Sequence, residues 1–137
     1  SLAGQSLKKQ LENIHKKNLD NFKKKENDLK KKEQDILGKK NILSKEEFQK
    51  EISKLRNEVK DYNNNRNEKI NSLTKKRLES MEKIIKSLSP ILADYSKEKN
   101  ISLIIDKKNI IVGKTELNIT NEILKILDNK IKKVKLN

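Results

Sequence analysis

Gly38-Lys39-Lys40-Asn41-Ile42-Leu43-Ser44-Lys45-Glu46-Glu47-Phe48 decides the fold, because it reads as a helix stop followed at once by a restart. Gly38 suits a helix end, Ser44 is a good N-cap, and Glu47, three residues on, completes a capping box. Two helices joined by so short a break must turn back on each other, with a tip at about residues 38–44.

On the C-terminal side of the tip, Phe48, Ile52, Leu55, Val59, Tyr62, Arg66, Ile70, Leu73, Arg77, Met81, Ile84, Leu88, Ile91 and Tyr95 follow at steps of four and three. That spacing is a coiled-coil seam. Arg66 and Arg77 interrupt it, which a pure dimerisation zipper would seldom want. On the N-terminal side, Leu7, Leu11, Ile14, Phe22, Leu29 and Ile36 form a thinner stripe, with Asn18 and Lys25 in between. So thin a stripe cannot hold the helix over about residues 5–38 alone, and it needs a partner helix. Together the two read as an antiparallel helical-hairpin arm over residues 5–78.

At about 1.5 Å of rise per residue, folding the arm about its tip sets Leu7 opposite roughly residue 77. Residues 79–99 are then expected to lack a partner within the chain, although Met81, Ile84, Ile85, Leu88, Ile91, Leu92 and Tyr95 give them a rich apolar face. Other copies of the chain, together with a segment ahead of Ser1, are the expected cover. Pro90 falls in this stretch and reads as a bend or a helix restart capped by Ser89, with a hinge as the sharper alternative.

Composition agrees with arms rather than a large core: 32% of the 137 residues are apolar and 39% are charged. The formal net charge of +14 makes anionic partners plausible, but it spreads as +4, +6 and +4 over residues 1–37, 38–100 and 101–137. No segment is a basic arm, and the abundance of Lys, Asn and Ile together has the look of a genome-wide bias. The absence of cysteine excludes disulfides, thiol catalysis and thiolate metal ligands without naming a compartment. Apolar runs such as 101–105 are far short of the roughly 20 residues a membrane span needs, and no signal peptide is visible.

After Asn100 the pattern changes. Ile101-Ser102-Leu103-Ile104-Ile105, a turn at Asp106-Lys107-Lys108-Asn109, and Ile110-Ile111-Val112-Gly113 predict a β-hairpin over 101–113. Two strands alone are marginal in water, so a sheet shared between chains is expected. Thr120 then reads as the N-cap of a helix reaching residue 133, with Glu122 in its first turn and Ile123, Leu124, Ile126, Leu127 and Ile131 on its apolar face. Lys132-Lys133-Val134-Lys135 forms a basic tail. Residues 79–137 thus read as a small body containing β structure, in a chain that is otherwise mainly α.

A long helical hairpin followed by Tyr95-Ser96-Lys97-Glu98-Lys99-Asn100-Ile101-Ser102-Leu103-Ile104-Ile105-Asp106 resembles the Skp/OmpH family of periplasmic chaperones. Ile110 to Gly113 and Asn118-Ile119-Thr120-Asn121-Glu122-Ile123-Leu124 match the family's second strand and "D-I-T" helix start, with Asn118 in place of Asp. Ala3-Gly4-Gln5-Ser6-Leu7-Lys8-Lys9-Gln10-Leu11 is similar to the family's Gly-containing start of the first long helix. The resemblance covers nearly the whole chain, but its specificity lies in the last 40 residues. The family's first β-strand, which precedes that start, has no counterpart before residue 1.

The resemblance implies a tentacled homotrimer in the periplasm, an ATP-independent holdase that shelters unfolded outer-membrane proteins between helical arms. In that reading Met81, Ile84, Leu88, Ile91, Tyr95, Ile101, Leu103, Ile105, Ile110 and Val112 belong to the oligomerisation body. Arg66, Lys69, Lys75, Lys76 and Arg77 are candidates for binding client protein, lipopolysaccharide or an anionic lipid surface, since guanidinium and ammonium groups match phosphate oxygens. The same cluster also reads as a solvated helix face of a Lys-rich chain.

The runner-up is a cationic coiled-coil protein that binds nucleic acid or is purely structural. Lys23-Lys24-Lys25 and Lys30-Lys31-Lys32 suit it, but Glu26, Asp28, Glu33 and Asp35 interleave with them, and aromatic residues for stacking bases are almost absent. His15 stands alone without a second ligand at metal spacing, and Asp106 reads as a turn former. With no paired carboxylates, no Ser/His arrangement and three glycines in all, neither enzyme chemistry nor a cofactor is expected.

Overall fold

The computed structural model describes residues 1–134 and 136. Three α-helices carry the chain: α1 (Leu2–Gly38), α2 (Lys45–Glu98) and α3 (Thr120–Lys130). Single 3-10 turns stand at Lys107–Asn109 and Thr115–Leu117. The chain divides into two compact units, Glu12–Lys75 and Ser1–Leu11 with Lys76–Asn137, here the arm and the base.

In the arm, α1 and α2 run antiparallel, as contacts between Lys32 and Glu58 and between Glu26 and Tyr62 require. The tip has the local chemistry its sequence specifies. Ser44 Oγ accepts from the Glu47 amide at 3.2 Å, while a Glu47 carboxylate oxygen accepts from the Ser44 amide at 3.0 Å and from the Ser44 hydroxyl at 2.7 Å. These reciprocal bonds satisfy amides that the first turn of α2 would leave unpaired, and they hold the Glu47 carboxyl below the usual carboxylate range. Leu29 is the buried apolar side chain of the arm, while Phe22, Ile36, Phe48, Ile52, Leu55, Tyr62 and Leu73 are half-buried. A two-helix layer of mostly long polar side chains can cover its seam no better.

In the base, α3 covers the face of α2 that the sequence left without a partner. Ile123 and Leu127 pack with Ile91 and Tyr95 into a buried cluster, and Ile84, Leu88, Leu92, Ile101, Ile119, Ile126 and Ile131 close around it. The expectation that residues 79–99 lack a partner within the chain is therefore corrected. Counting from the tip sets only α1 opposite α2, whereas the amphipathic α3, which begins at Thr120, returns to the same face. The start of α1 joins this unit, with Ala3 and Leu7 buried, the Leu2 amide donating to Asp128 at 2.6 Å and the Gln10 side-chain amide donating to the Val134 carbonyl at 2.9 Å.

Packing also explains how α2 runs through Pro90 without a restart. An interior proline costs about 3 kcal/mol, but burial of Ile91 and Tyr95 on the next turn fixes the backbone there. Ser89 is not a cap; its hydroxyl donates to the Ile85 carbonyl at 3.4 Å. The helix stops where Asn100 adopts a left-handed conformation at φ 53°, and the Ile101 amide reaches back to the Ser96 carbonyl at 2.9 Å in a Schellman closure. That closure turns the Ile101 side chain onto the cluster.

The β-hairpin expected over 101–113 is not formed, and no strand occurs among the described residues. Asp106 does make a turn, accepting from the Lys108 amide at 3.1 Å, but Ile110, Ile111 and Val112 face solvent rather than a paired strand. The reason is the one that makes isolated hairpins marginal: within one chain there is no third strand or covering layer for their apolar residues. Two smaller corrections concern α3. Its leading amide is held by Asn118, whose side-chain oxygen accepts from the Thr120 amide at 3.2 Å, so Thr120 is the first helical residue and not the cap. The helix also ends at Lys130, because Ile131 turns extended to join the cluster. Lys135 of the basic tail lies outside the described residues.

Truncating Ile91→Ala or Leu127→Ala should cost about 2–5 kcal/mol in urea unfolding followed by circular dichroism, the range for a fully buried aliphatic residue.

Candidate functional site

Two surfaces carry the features the sequence singled out, one in each unit. In the arm, Phe22 and Tyr62 meet edge to face, with ring centroids 6.3 Å apart and planes at 78°. The Arg66 guanidinium carbon stands 5.8 Å from the centre of the Phe22 ring, and an Arg66 nitrogen lies 3.8 Å from Glu26. The Tyr62 hydroxyl donates to the same Glu26 carboxylate at 2.5 Å. Desolvation, together with that carboxylate, pushes the Tyr62 phenol above its ordinary range. Lys32 adds a 2.7 Å ion pair to Glu58, with Lys25 at 3.6 Å from the same carboxylate.

These contacts join the helices where the apolar seam is thinnest, and they show why arginine occupies a seam position. Arg66 thus has partners in Glu26 and the Phe22 ring within the hairpin, while its side chain stays exposed. Of the other predicted basic residues, Lys69 and Lys75 lie exposed on the arm part of α2, and Lys76 and Arg77 belong to the base. The five are thus not one cluster within one unit. Phe22 and Glu26 were missed as contributors. Their signal was the spacing of four residues that sets both on one face of α1, opposite Tyr62 and Arg66 at the same spacing on α2.

In the base, the ten predicted assembly residues separate by exposure. Ile91 and Tyr95 lie in the core and Ile84, Leu88 and Ile101 pack against it. The Tyr95 hydroxyl donates to Glu122 on α3, which holds the phenol above its usual range. Met81, Leu103, Ile105, Ile110 and Val112 are exposed, as are Leu2, Leu78, Ile85, Ile111 and Leu117, of which the sequence reading passed over Leu2, Leu78 and Leu117. Ile111 is 99% and Val112 89% exposed, so large aliphatic side chains stand wholly in water. Leu78, Met81 and Ile85 follow at helical spacing and form an exposed stripe on α2. Patches of this kind on a charged protein mark surfaces that meet another molecule.

Comparison with known proteins bears on this architecture. The family model described as outer membrane protein (OmpH-like) matches residues 1–127. The chain belongs to the OmpH-like family. No curated protein matches it. A crystal structure from Caulobacter crescentus CB15, described as that of a candidate outer membrane chaperone (OmpH-like), matches at a TM-score of 0.94 with 13% identity, over 100% of this chain and 81% of the other. At that identity the likeness establishes an OmpH-like fold. The shared fold survives such divergence because it asks for helical periodicity, caps and a small apolar cluster rather than for particular side chains.

The Lys32–Glu58 contact gives a pH test. Hydrogen bonding from Lys32, aided by its charge, holds the Glu58 carboxyl below the usual glutamate range. Its contribution to the hairpin is present above the ordinary glutamate pKa and is lost as pH falls through the depressed value. The drop in urea midpoint between pH 7 and pH 3 should be smaller in Glu58→Gln than in wild type.

Proposed function

We propose that this OmpH-like protein is an ATP-independent holdase chaperone of the periplasm, which assembles as a homotrimer and shelters unfolded outer-membrane proteins between its helical arms. The observation that carries the proposal is the combination of wholly exposed Ile111 and Val112 in the base with a highly charged, thinly cored helical hairpin. Family membership and the fold shared with a candidate outer membrane chaperone support it.

The exposed residues of 101–117 are the natural means of assembly. Each copy contributes an apolar segment that cannot bury itself, and strands formed between copies would satisfy backbone and side chains together. Arms with few large apolar contacts then face the client. Positive charge on them attracts it, and charge attraction, which fixes no particular sequence, lets many clients bind. Lys69, Lys75, Lys76 and Arg77 remain the proposed contacts for client or for lipopolysaccharide and anionic lipid, with Arg66 in a supporting place beside Phe22.

The purified protein should suppress aggregation of an unfolded β-barrel client at near one trimer per client, and light scattering should give about three times the 16.0 kDa chain mass. No suppression at several-fold excess would sink the holdase reading. Sub-micromolar, salt-sensitive binding of duplex DNA without suppression would favour the nucleic-acid alternative. Ile111→Asp combined with Val112→Asp should shift the protein toward monomer while leaving its helicity largely intact.

A further inference from the structure

We propose that Asn118 is an acceptor for N-linked oligosaccharide, transferred to its side-chain amide from a lipid pyrophosphate-linked donor. Of the 17 asparagines, Asn100 and Asn118 alone have a hydroxyl residue two positions on, Ser102 and Thr120, with a residue other than proline between. Both also have a glutamate two positions ahead, Glu98 and Glu116. Acids fill 20 of the 137 positions, so chance alone would put one ahead of both about one time in fifty. A carboxylate there gives basic groups of the transferring enzyme a charge-assisted contact, and the hydroxyl gives it a second polar handle.

The structure separates these two matching motifs. Asn100 follows α2 in the left-handed conformation at φ 53°, with Glu98 still in the helix and Ile101 packed onto the cluster. That chain is anchored on both sides, and the positive φ by itself accounts for an asparagine there. Asn118 stands in extended backbone, at φ −84° and ψ 94°, after a single 3-10 turn, and residues 114–118 are all exposed, as is Thr120. Its side-chain oxygen is held by the Thr120 amide, while its side-chain nitrogen donates to nothing among the described residues. Capping does not require asparagine, since aspartate would accept from the Thr120 amide equally well and would suit the positive end of α3 better. In the transfer, Asn118 Nδ2 attacks the anomeric carbon of the donor and the bond from that carbon to the pyrophosphate oxygen breaks. Nδ2 gives up one of its two protons as the lipid pyrophosphate leaves. The inference rests on the periplasmic placement proposed above, because donors of this class present their sugar on the outer side of the cytoplasmic membrane.

Mass spectrometry of tryptic peptides of the whole protein, purified from the cells that encode it, tests this. The peptide of residues 115–125 should carry the mass of an oligosaccharide on Asn118, and the peptide that begins at Asn100 should be bare. Asn118→Asp and Thr120→Ala should each abolish the modification. Glu116→Gln should lower the extent of transfer about tenfold, the worth of one charge-assisted hydrogen bond. Asn118→Asp keeps the oxygen that holds the Thr120 amide, so an unchanged circular dichroism spectrum and urea midpoint separate loss of the acceptor from loss of the fold. A bare Asn118 in the isolated protein, oligosaccharide on Asn100 alone, or modification that survives Thr120→Ala would each overturn the assignment. Osmotic shock locates the protein independently. Released protein with a bare Asn118 overturns the modification and leaves the proposed placement standing, whereas protein retained in the cytoplasm overturns both.

Discussion

The packing of Ile123 and Leu127 from α3 against Ile91 and Tyr95 of α2 is the contact on which the base depends. Apolar residues make up only 32% of the chain, and large side chains that leave water almost completely are few. Each therefore matters more than it would in an ordinary globular core. An 11-residue helix such as α3 is marginal by itself, and α2 crosses a proline one turn before Tyr95. Burial at this one cluster offsets both weaknesses. The Schellman closure at Asn100, the entry of Ile131 and the bond from Tyr95 to Glu122 all attach to the same place.

The arm is held by a different balance. Its apolar seam is broken at Asn18, Lys25 and Arg66, and cohesion there comes from aromatic, cation–π and ion-pair contacts at partly exposed positions. Exposed ion pairs are individually weak, often below about 1 kcal/mol, so the arm gains order from their number and from its caps rather than from a dry interior. For a protein proposed to enclose unfolded clients, that is a coherent arrangement. A dry seam would be rigid, while a continuous exposed apolar face would hold its clients too firmly and aggregate with its own copies.

The exposed aliphatic residues of 101–117 are the counterpart of this economy. Within a lone chain Ile111, Val112 and Leu103 stay exposed, while Ile91, Tyr95, Ile123 and Leu127 pack with one another. The absence of a strand among the described residues of this segment and the exposure of its side chains have one cause. Strand pairing is satisfied only by a neighbour, and the sequence retains β-branched residues there that a single chain cannot shelter.

The hairpin and its tip were legible in the amino-acid sequence because they rest on local chemistry. A capping box spans four residues, and a seam repeats within two turns. The family was legible for a related reason, since the segment from Tyr95 to Leu124 keeps a recognisable order of residue types. What covers residues 79–99, whether 101–113 pairs as strands, and whether Arg66 finds partners within the hairpin could not be read in that way. Each depends on which distant residues arrive on the same face. A one-dimensional pattern shows that a face is apolar or charged, but only the tertiary structure brings α3 to Ile91 and Tyr95, leaves Ile111 in water, and sets Phe22 and Glu26 beside Arg66.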